Sequence, residues 1–533
     1  MERVVFDSFL MNKIGSSVQL ILISLVLIAL LGYTGRDDTH ITYFVADLIS
    51  QGKSLTNYNG DNIEQTSSLA FASILGLVSY LTKISSATLG PFVSFVFLLL
   101  SYLITKRNIL TNNKLAFVPF ITLPIFYWSL SGMENTLYLF LLISLVILYI
   151  KNFNIAIKIP LVVFLSFLLQ LTRPEFIFVI ICTFIIHLLI QKEKDSNLFY
   201  FYLSISIGLI FVVLAKILMD FNFFPNTVLA KQGSFDIETF LLQSKRGIFY
   251  IGKIFLWYAP ISSLIGLAVF LATIKKFFAS RARFSKLESL ILSLSISIVL
   301  FAVFSGGDWM EAGRFISAPL TLIFILFVKL YESSIYKRAR HILVIGFLFI
   351  DFLITASYGF GGNQFFYSHK YEPKNFSPSI MEKYNRIHSR DISFIDKIIP
   401  YLRDSDKKIV IGSIQAGMVP YYLKKELGNN YYFVDLAGLS TSHIHKCMKD
   451  DRFWSKKHLE FDPYQDIKAL QDCIGIKFDY ISELGGNNWR RLELVKSIGC
   501  EEILRDEVTI RKEYPLKRIR STKQFLAKCK TTD

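Results

Sequence analysis

Apolar residues run through this chain in long blocks from Ile14 to Ser357 and then stop. The blocks lie near 14–33, 69–82, 89–105, 115–130, 136–150, 156–171, 176–190, 198–218, 248–274, 287–304, 315–331 and 341–357. Runs of roughly 17–25 apolar residues cross a bilayer as helices. The pattern predicts an α-helical polytopic membrane domain over residues 1–357. The first run, Ile14–Leu31, is long for the apolar part of a cleaved leader and has no A-x-A site, so it is expected to be an uncleaved first span. Beyond Ser357 the apolar stretches are short and bounded by turn residues. "KKIVIGS" (407–413), "YYFVDL" (431–436), "FDYISEL" (478–484) and "VTIRKEY" (508–514) read as strands, with helical stretches around 387–403 and 463–474. Residues 358–533 are therefore expected to form a soluble α/β domain with at least four strands.

One stretch between the first two blocks has a different period. In "DDTHITYFVADLIS" (37–50), Ile41, Phe44, Val45, Leu48 and Ile49 fall at i, i+3, i+4, i+7 and i+8. That is an amphipathic helix. Its apolar stripe beside a span suggests a place on the bilayer surface.

Charge then orders the loops. One set carries Lys106, Arg107, Lys114, Lys151, Lys158, Lys192, Lys194, Lys275, Lys276, Arg281, Arg283, Lys286, Lys337, Arg338 and Arg340. The alternate set carries only Arg36, Lys53, Arg173, Lys231, Lys245, Arg246 and Arg314. The positive-inside rule puts the first set in the cytoplasm. With the N-terminus inside, blocks 69–82 and 89–105 can cross only once between them. The shorter, which holds Ser73, Ser79 and Thr82, is expected to be re-entrant or interfacial. Eleven spans follow, in the plasma (inner) membrane, with the C-terminal domain extracytoplasmic.

Composition narrows the class. The chain is 52% hydrophobic with 49 Phe, and its mean hydropathy is +0.43, which excludes an ordinary soluble enzyme. The net charge of +16 follows the topology, so no nucleic-acid partner is expected. Five cysteines, Cys182, Cys447, Cys473, Cys500 and Cys529, show no C-x-x-C pair. They give no metal or redox motif, and leave open one disulfide in the C-terminal domain.

The unusual chemistry gathers in the cation-poor loops: "GRDDTH" (35–40), "SGMENT" (131–136), "LTRPEF" (171–176), "FPNTVLAKQGS" (224–234) and "SGGDWMEAGRF" (305–315). They bring Asp37, Asp38, Glu134, Arg173, Glu175, Lys231, Asp308, Glu311 and Arg314 to one membrane face. Charges at span ends are costly to bury and are often functional. Asp38 or Thr39 can cap the helix that follows; Asp37 has no such local role and is the stronger candidate for chemistry. Arg173 precedes Pro174 and sits in an extended turn, where it either snorkels or binds a ligand. No cofactor is expected. A divalent metal is left open but not indicated, because His40 beside the two acids adds no third ligand at metal spacing, and neither do His443 and His445 in the C-terminal domain. Tyr421, Tyr422, Trp454 and Trp489 either stack on sugars or belong to a core.

Taken in order, the motifs resemble a known family. "DDTHITYFVADLISQGKSLTNYNGDNIEQTSSLAFASIL", with Asn59-Gly60-Asp61-Asn62-Ile63-Glu64 inside it, is similar to the opening signature of GT-C superfamily glycosyltransferases related to the mycobacterial terminal arabinofuranosyltransferase. "SGMENTLY", "TRPE", "PNTVLAK" and "GGDWMEAGRF" resemble that family's later loops. "GSIQAGMVPYYL" and "VDLAGLS" resemble its extracytoplasmic domain. The segment after Glu64 and the loop around Met310 and Glu311 depart from the usual form. The resemblance implies eleven spans and an inverting transfer from a polyprenyl-phosphate-linked sugar donor to an envelope glycan or glycolipid acceptor. On this reading Asp37 is the base, and Asp38 orients a sugar or caps its helix. Arg173, Arg314, Lys231 and Arg36 hold the donor phosphate, and Glu64, Glu134, Asn226 and Asp308 meet sugar hydroxyls. The 39–50 helix would line the route of the lipid. Two other classes compete. A transporter or flippase of a lipid-linked substrate would show mid-span charge and repeat symmetry. A non-catalytic envelope scaffold would work through residues 358–533 alone.

Overall fold

The computed structural model describes residues 16–31, 37–111, 113–190, 196–229, 237–280, 284–308, 310, 312–331, 346, 348–351, 394–403, 407–441, 444–447, 454–455, 460–461, 467–483, 493, 495–510 and 520–529. Two of the expected site residues, Arg36 and Lys231, lie outside them, as do Glu311, His443 and Trp489.

The fold is an α-helical polytopic membrane protein with a small C-terminal α/β domain. Among the described residues, Ser86–Asn108, Ile155–Thr172, Asn197–Leu218 and Lys286–Phe304 are long and apolar enough to cross a bilayer alone. Shorter apolar helices pack among them, including Asn135–Ile150, which is buried along nearly its whole length. Large apolar side chains such as Leu81, Phe92, Leu189, Phe199, Ile210 and Leu218 face outward, as a lipid-facing surface requires.

Two elements differ from the sequence reading. Block 115–130 is not one helix: it splits into a 3-10 turn, Val118–Ile121, and a short helix, Leu123–Ser129. Pro119 and Pro124 lack the amide hydrogen that a continuous helix needs. The whole segment is buried. The helix Asp37–Ser50 does not lie on the bilayer surface either. Thr39 to Ala46 are all buried, because Leu69–Thr82 covers one side and the C-terminal domain's helix Met418–Leu427 covers another. Its apolar stripe is core.

Hydrogen bonds fix which ends share a face. Lys106 Nζ donates to Ser17 Oγ at 3.2 Å, so the start of Ser16–Leu31 lies beside the end of Ser86–Asn108. At the other end, Ser86 N–H donates to Asp47. Residues 37–85 therefore stay at one end of the bundle. Leu69–Thr82 has only 14 residues, about 21 Å of helix against a ~30 Å hydrocarbon core.

In the C-terminal domain, strands β1 (Ile409–Ser413), β2 (Tyr431–Asp435), β3 (Trp454–Ser455), β4 (Glu460–Phe461), β5 (Tyr480–Glu483), β6 (Cys500–Ile510) and β7 (Arg520–Cys529) are described. β3 and β4 form a separate pair, and the other five make one sheet in the order β2-β1-β5-β7-β6. β1 is parallel to β2 and β5, while β7 is antiparallel to β5 and β6. The cysteines form two disulfides where the sequence left room for one: Cys447–Cys473 and Cys500–Cys529. The second joins register partners where β6 begins and β7 ends.

Candidate active site

Two buried arginines from separate loops meet at one aromatic ring. Arg173 ends the helix Ile155–Thr172, where Pro174 stops helical continuation. Its Nε lies 3.1 Å from Glu134 and its Nη1 donates to Glu175 at 3.2 Å. Arg314 opens the 3-10 turn Arg314–Ile316, and its Nε lies 2.5 Å from Asp308. The two guanidinium carbons stand 5.5 and 5.4 Å from the Phe315 ring centre, within cation–π range. The Nε contacts to Glu134 and Asp308 are not aligned as hydrogen bonds. Both guanidinium groups therefore keep donor capacity for an anion.

The loop that carries Arg314 is shaped by left-handed residues: Gly306, Gly307, Ala312 and Gly313 all have positive φ. Gly307 also lets the loop approach Tyr250, whose ring a Cβ would strike. The Tyr250 hydroxyl accepts the Phe315 N–H at 3.1 Å. Asn135 donates to the Arg314 carbonyl and Trp128 to the Ala312 carbonyl. The "SGMENT" and "GGDWMEAGRF" loops are thus fastened together, and Glu134 sits beside Arg173. Burial works against the Arg314 charge. Asp308, Glu134, Asp38 and Glu175 outweigh it and hold its pKa above the ordinary value. That balance places Asp38 in the electrostatic field of the arginine cluster.

Asp37 turns elsewhere. Its carboxylate accepts the backbone N–H of Gly417 at 3.1 Å and of Met418 at 2.6 Å. These are the first amides of the helix Met418–Leu427, which have no partner within the helix and favour an anion. Local sequence around Asp37 does not reveal this role, because Gly417 is 380 residues away.

Asp37 belongs to a joint between the two domains. The Asn59 side chain donates to the Phe433 carbonyl and accepts the Phe433 N–H, each at 2.8 Å. Asn57 donates to the Ser440 carbonyl and Tyr58 to the Gly417 carbonyl. Tyr421, buried rather than free to stack on a sugar, donates to Asp47 at 2.9 Å. Asn226 donates its amide to the Gly438 and Leu439 carbonyls. Glu64 is buried and bonded to Lys216 at 2.7 Å. Burial raises its pKa, and the Lys216 ammonium offsets part of that rise.

The structure therefore brings Arg173, Arg314, Glu134 and Asp308 together, with Asp38 in the field of Arg314 and Asp37, Glu64 and Asn226 along the adjoining joint. Sequence reasoning gave no role to Tyr250, Phe315 or Lys216. Lys216 had a signal, as a charge within an apolar helix. The other two had none, being aromatic residues among many. No group of three or more His, Cys, Asp or Glu side chains that would hold a metal occurs among the described residues.

No family model matches the chain, and no curated protein matches it. Solved structures do. ArnT from Cupriavidus metallidurans in the apo state aligns over 96% of this chain and 97% of its own, at 13% identity and a TM-score of 0.53. The same protein bound to undecaprenyl phosphate aligns over the same shares, at 13% identity and a TM-score of 0.52. The chain is a multi-pass membrane protein with an ArnT-like fold.

Proposed function

We propose that this chain is a membrane glycosyltransferase that moves a sugar from a polyprenyl phosphate to an envelope glycan or glycolipid, with inversion. The observation that carries this reading is the pair of buried arginines at Phe315, set beside Asp38 at one end of a helical bundle. A GT-C relative in fold was crystallised with undecaprenyl phosphate. The finer kinship to arabinofuranosyltransferases rests on the loop motifs alone, and sugar identity is not part of the proposal.

In the reaction, the acceptor hydroxyl oxygen attacks the anomeric carbon from the face opposite the phosphate. The carbon–oxygen bond to the phosphate breaks, and its electron pair stays on the lipid phosphate. The hydroxyl proton passes to a carboxylate. Arg173 and Arg314 bear on the leaving phosphate, whose charge grows as the bond breaks. A base must reach the acceptor proton. Asp38 suits this better than Asp37, because the Asp37 carboxylate is engaged by two amides of the C-terminal domain. Asp37 becomes a positioning residue that fixes the start of the helix carrying both acids. Glu134 and Asp308 aim the arginines and stay close enough to meet a sugar hydroxyl. Glu64 and Asn226 act through the joint.

Lys106 lies at the end of Ser86–Asn108 opposite the end held by Asp47, and the C-terminal domain carries two disulfides, which form in oxidising compartments. Both features favour a site that faces away from the cytoplasm, where a lipid must bring the activated sugar.

The test is deletion of the gene with analysis of envelope glycans, followed by complementation. A terminal or branch sugar is expected to vanish and to return with the unaltered chain. Asp38→Asn is expected not to restore it, with transfer down at least a thousandfold. Asp37→Asn is expected to restore it in part. An unchanged glycan profile on deletion, with no transfer from any polyprenyl-phosphate sugar in vitro, would remove the enzyme reading. Full activity of Asp38→Asn would remove only its role as base.

A further inference from the structure

A set of buried polar side chains belongs to none of the interactions above. The Gln65 side chain is wholly buried, and neither its amide nitrogen nor its carbonyl oxygen has a hydrogen-bond partner. The Thr227 and Ser68 hydroxyls are also buried and unpaired. Buried polar groups in folded proteins are nearly always paired, so an unpaired set asks what pairs it.

Three contacts locate the set. Thr66, next to Gln65, shares a 3.1 Å hydrogen bond with Thr42. Thr42 lies four residues after Asp38 in the helix Asp37–Ser50, on the same face and about 6 Å along the axis. On its other side, Glu64 accepts the Asn226 N–H at 3.1 Å through its carbonyl oxygen, which sets Asn226 and Thr227 against the 64–66 segment. Charge at this place is already neutralised, since Lys216 and Glu64 are paired with each other. What is left is neutral, with one amide and two hydroxyls able to donate and accept.

We infer that Gln65 and Thr227, with Ser68 beside them, form the subsite that binds the hydroxyl groups of the transferred sugar ring. The chemical class is a neutral polyol. An amide and hydroxyls offer donors and acceptors together, which matches a sugar hydroxyl and does not match a phosphate or an apolar chain. Thr42, the partner of the neighbouring Thr66, is one helical turn from Asp38. The Gln65, Thr227 and Ser68 side chains are buried. The adjoining loop 438–440 is held through its carbonyls by Asn226 and Asn57, and on this inference a ring reaches Gln65 when that loop lifts. The inference rests on the glycosyltransferase reading and adds which residues read the sugar.

The test compares binding of undecaprenyl phosphate with binding of undecaprenyl phosphate carrying arabinose, glucose, mannose or galactose, using the purified full chain. In the unaltered protein at least one sugar-bearing carrier is expected to bind more tightly than the bare carrier. Gln65→Met, of similar size and without the amide, is expected to lose that increment by tenfold or more and to bind the bare carrier within twofold of normal. Thr227→Val is expected to do the same from the opposite side, and it decides the matter if Gln65→Met does not fold. Retention of the full increment in a folded variant overturns the subsite, and so does an unaltered protein that gains nothing from any sugar. Failure of the glycosyltransferase reading is distinguishable, because the bare carrier would then not bind either.

Discussion

At the residue scale, the clearest lesson concerns carboxylates whose surroundings set their work. Asp37 and Asp38 are adjacent, yet one reaches the C-terminal domain and the other faces the arginines. A third carboxylate, Asp435, is fully buried at the end of β2, where the loop 436–441 begins. It accepts the N–H groups of Ala437 and Ser440. Burial pushes its carboxyl up to about 7, against the Ser440, Ala437 and Leu439 bonds that favour the charged form. An ordinary aspartate titrates near 3.9. The folded state therefore holds a proton that the unfolded state releases between about pH 4 and pH 7. The stabilisation is complete below about 4 and is lost as pH rises through about 7, at most about 4 kcal/mol. Docking of the loop 436–441, followed by hydrogen exchange of its amides, is expected to be firmer at pH 5 than at pH 8. Asp435→Asn should flatten that dependence; an unchanged pH profile in this variant would assign it to another group.

At the element scale, one glycine holds the domains together. Gly417 stands so close to the acid helix that a Cβ would collide with the Asp37 carbonyl oxygen. Gly417→Ala is expected to push Met418–Leu427 off that helix. Proteolysis at the joint should rise and transfer should fall at least tenfold, while the membrane helices melt as before. The Glu64–Lys216 pair supports the same joint from the bundle side, where both partners are nearly enclosed. Lys216→Met alone leaves a buried unpaired carboxyl and is expected to cost roughly 3–5 kcal/mol. Joining it with Glu64→Gln should recover most of that loss, as read from the thermal midpoints of the three variants. Equal losses in the single and double variants would show that the two residues are not coupled.

The elements also show what the sequence could express. Spans announce themselves because lipid demands continuous apolar runs, and strands β1, β2 and β5 because apolar residues cluster between turns. β7 was not anticipated: its first half, "RSTKQ", is polar, and its place between β5 and β6 comes from pairing at a distance. The burial of Asp37–Ser50 was hidden for the same reason, since an amphipathic stripe looks the same against lipid and against a second domain. Arg173, Arg314, Glu134 and Asp308 were legible as charges at span ends. Gln65 and Thr227 were not, because an uncharged polar residue is conspicuous only when its neighbours fail to pair it.

At the scale of the whole molecule, the loop charges and the hydrogen bonds divide the chain the same way. Arg107 and Lys151 lie at the basic end, and Lys83 at the end that carries the site. All three are exposed, as is Lys425 on the C-terminal domain. If Leu69–Thr82 does not cross, Lys83 shares a side with Lys425 and opposes Arg107, although only Ser86–Asn108 separates Lys83 from Arg107. Single cysteines at these positions, in a chain with Cys182 replaced by Ala and its two disulfides intact, can be labelled in intact cells by a membrane-impermeant maleimide. Positions 83 and 425 are expected to label directly, and 107 and 151 only after the membrane is opened. Direct labelling of 425 without 83 would put Lys83 and the C-terminal domain on opposite sides. With Asp37 held to Gly417 and Met418, Leu69–Thr82 would then have to span after all. Direct labelling of 83 and 425 alike is what the joint and a non-crossing Leu69–Thr82 require together, so this experiment tests both.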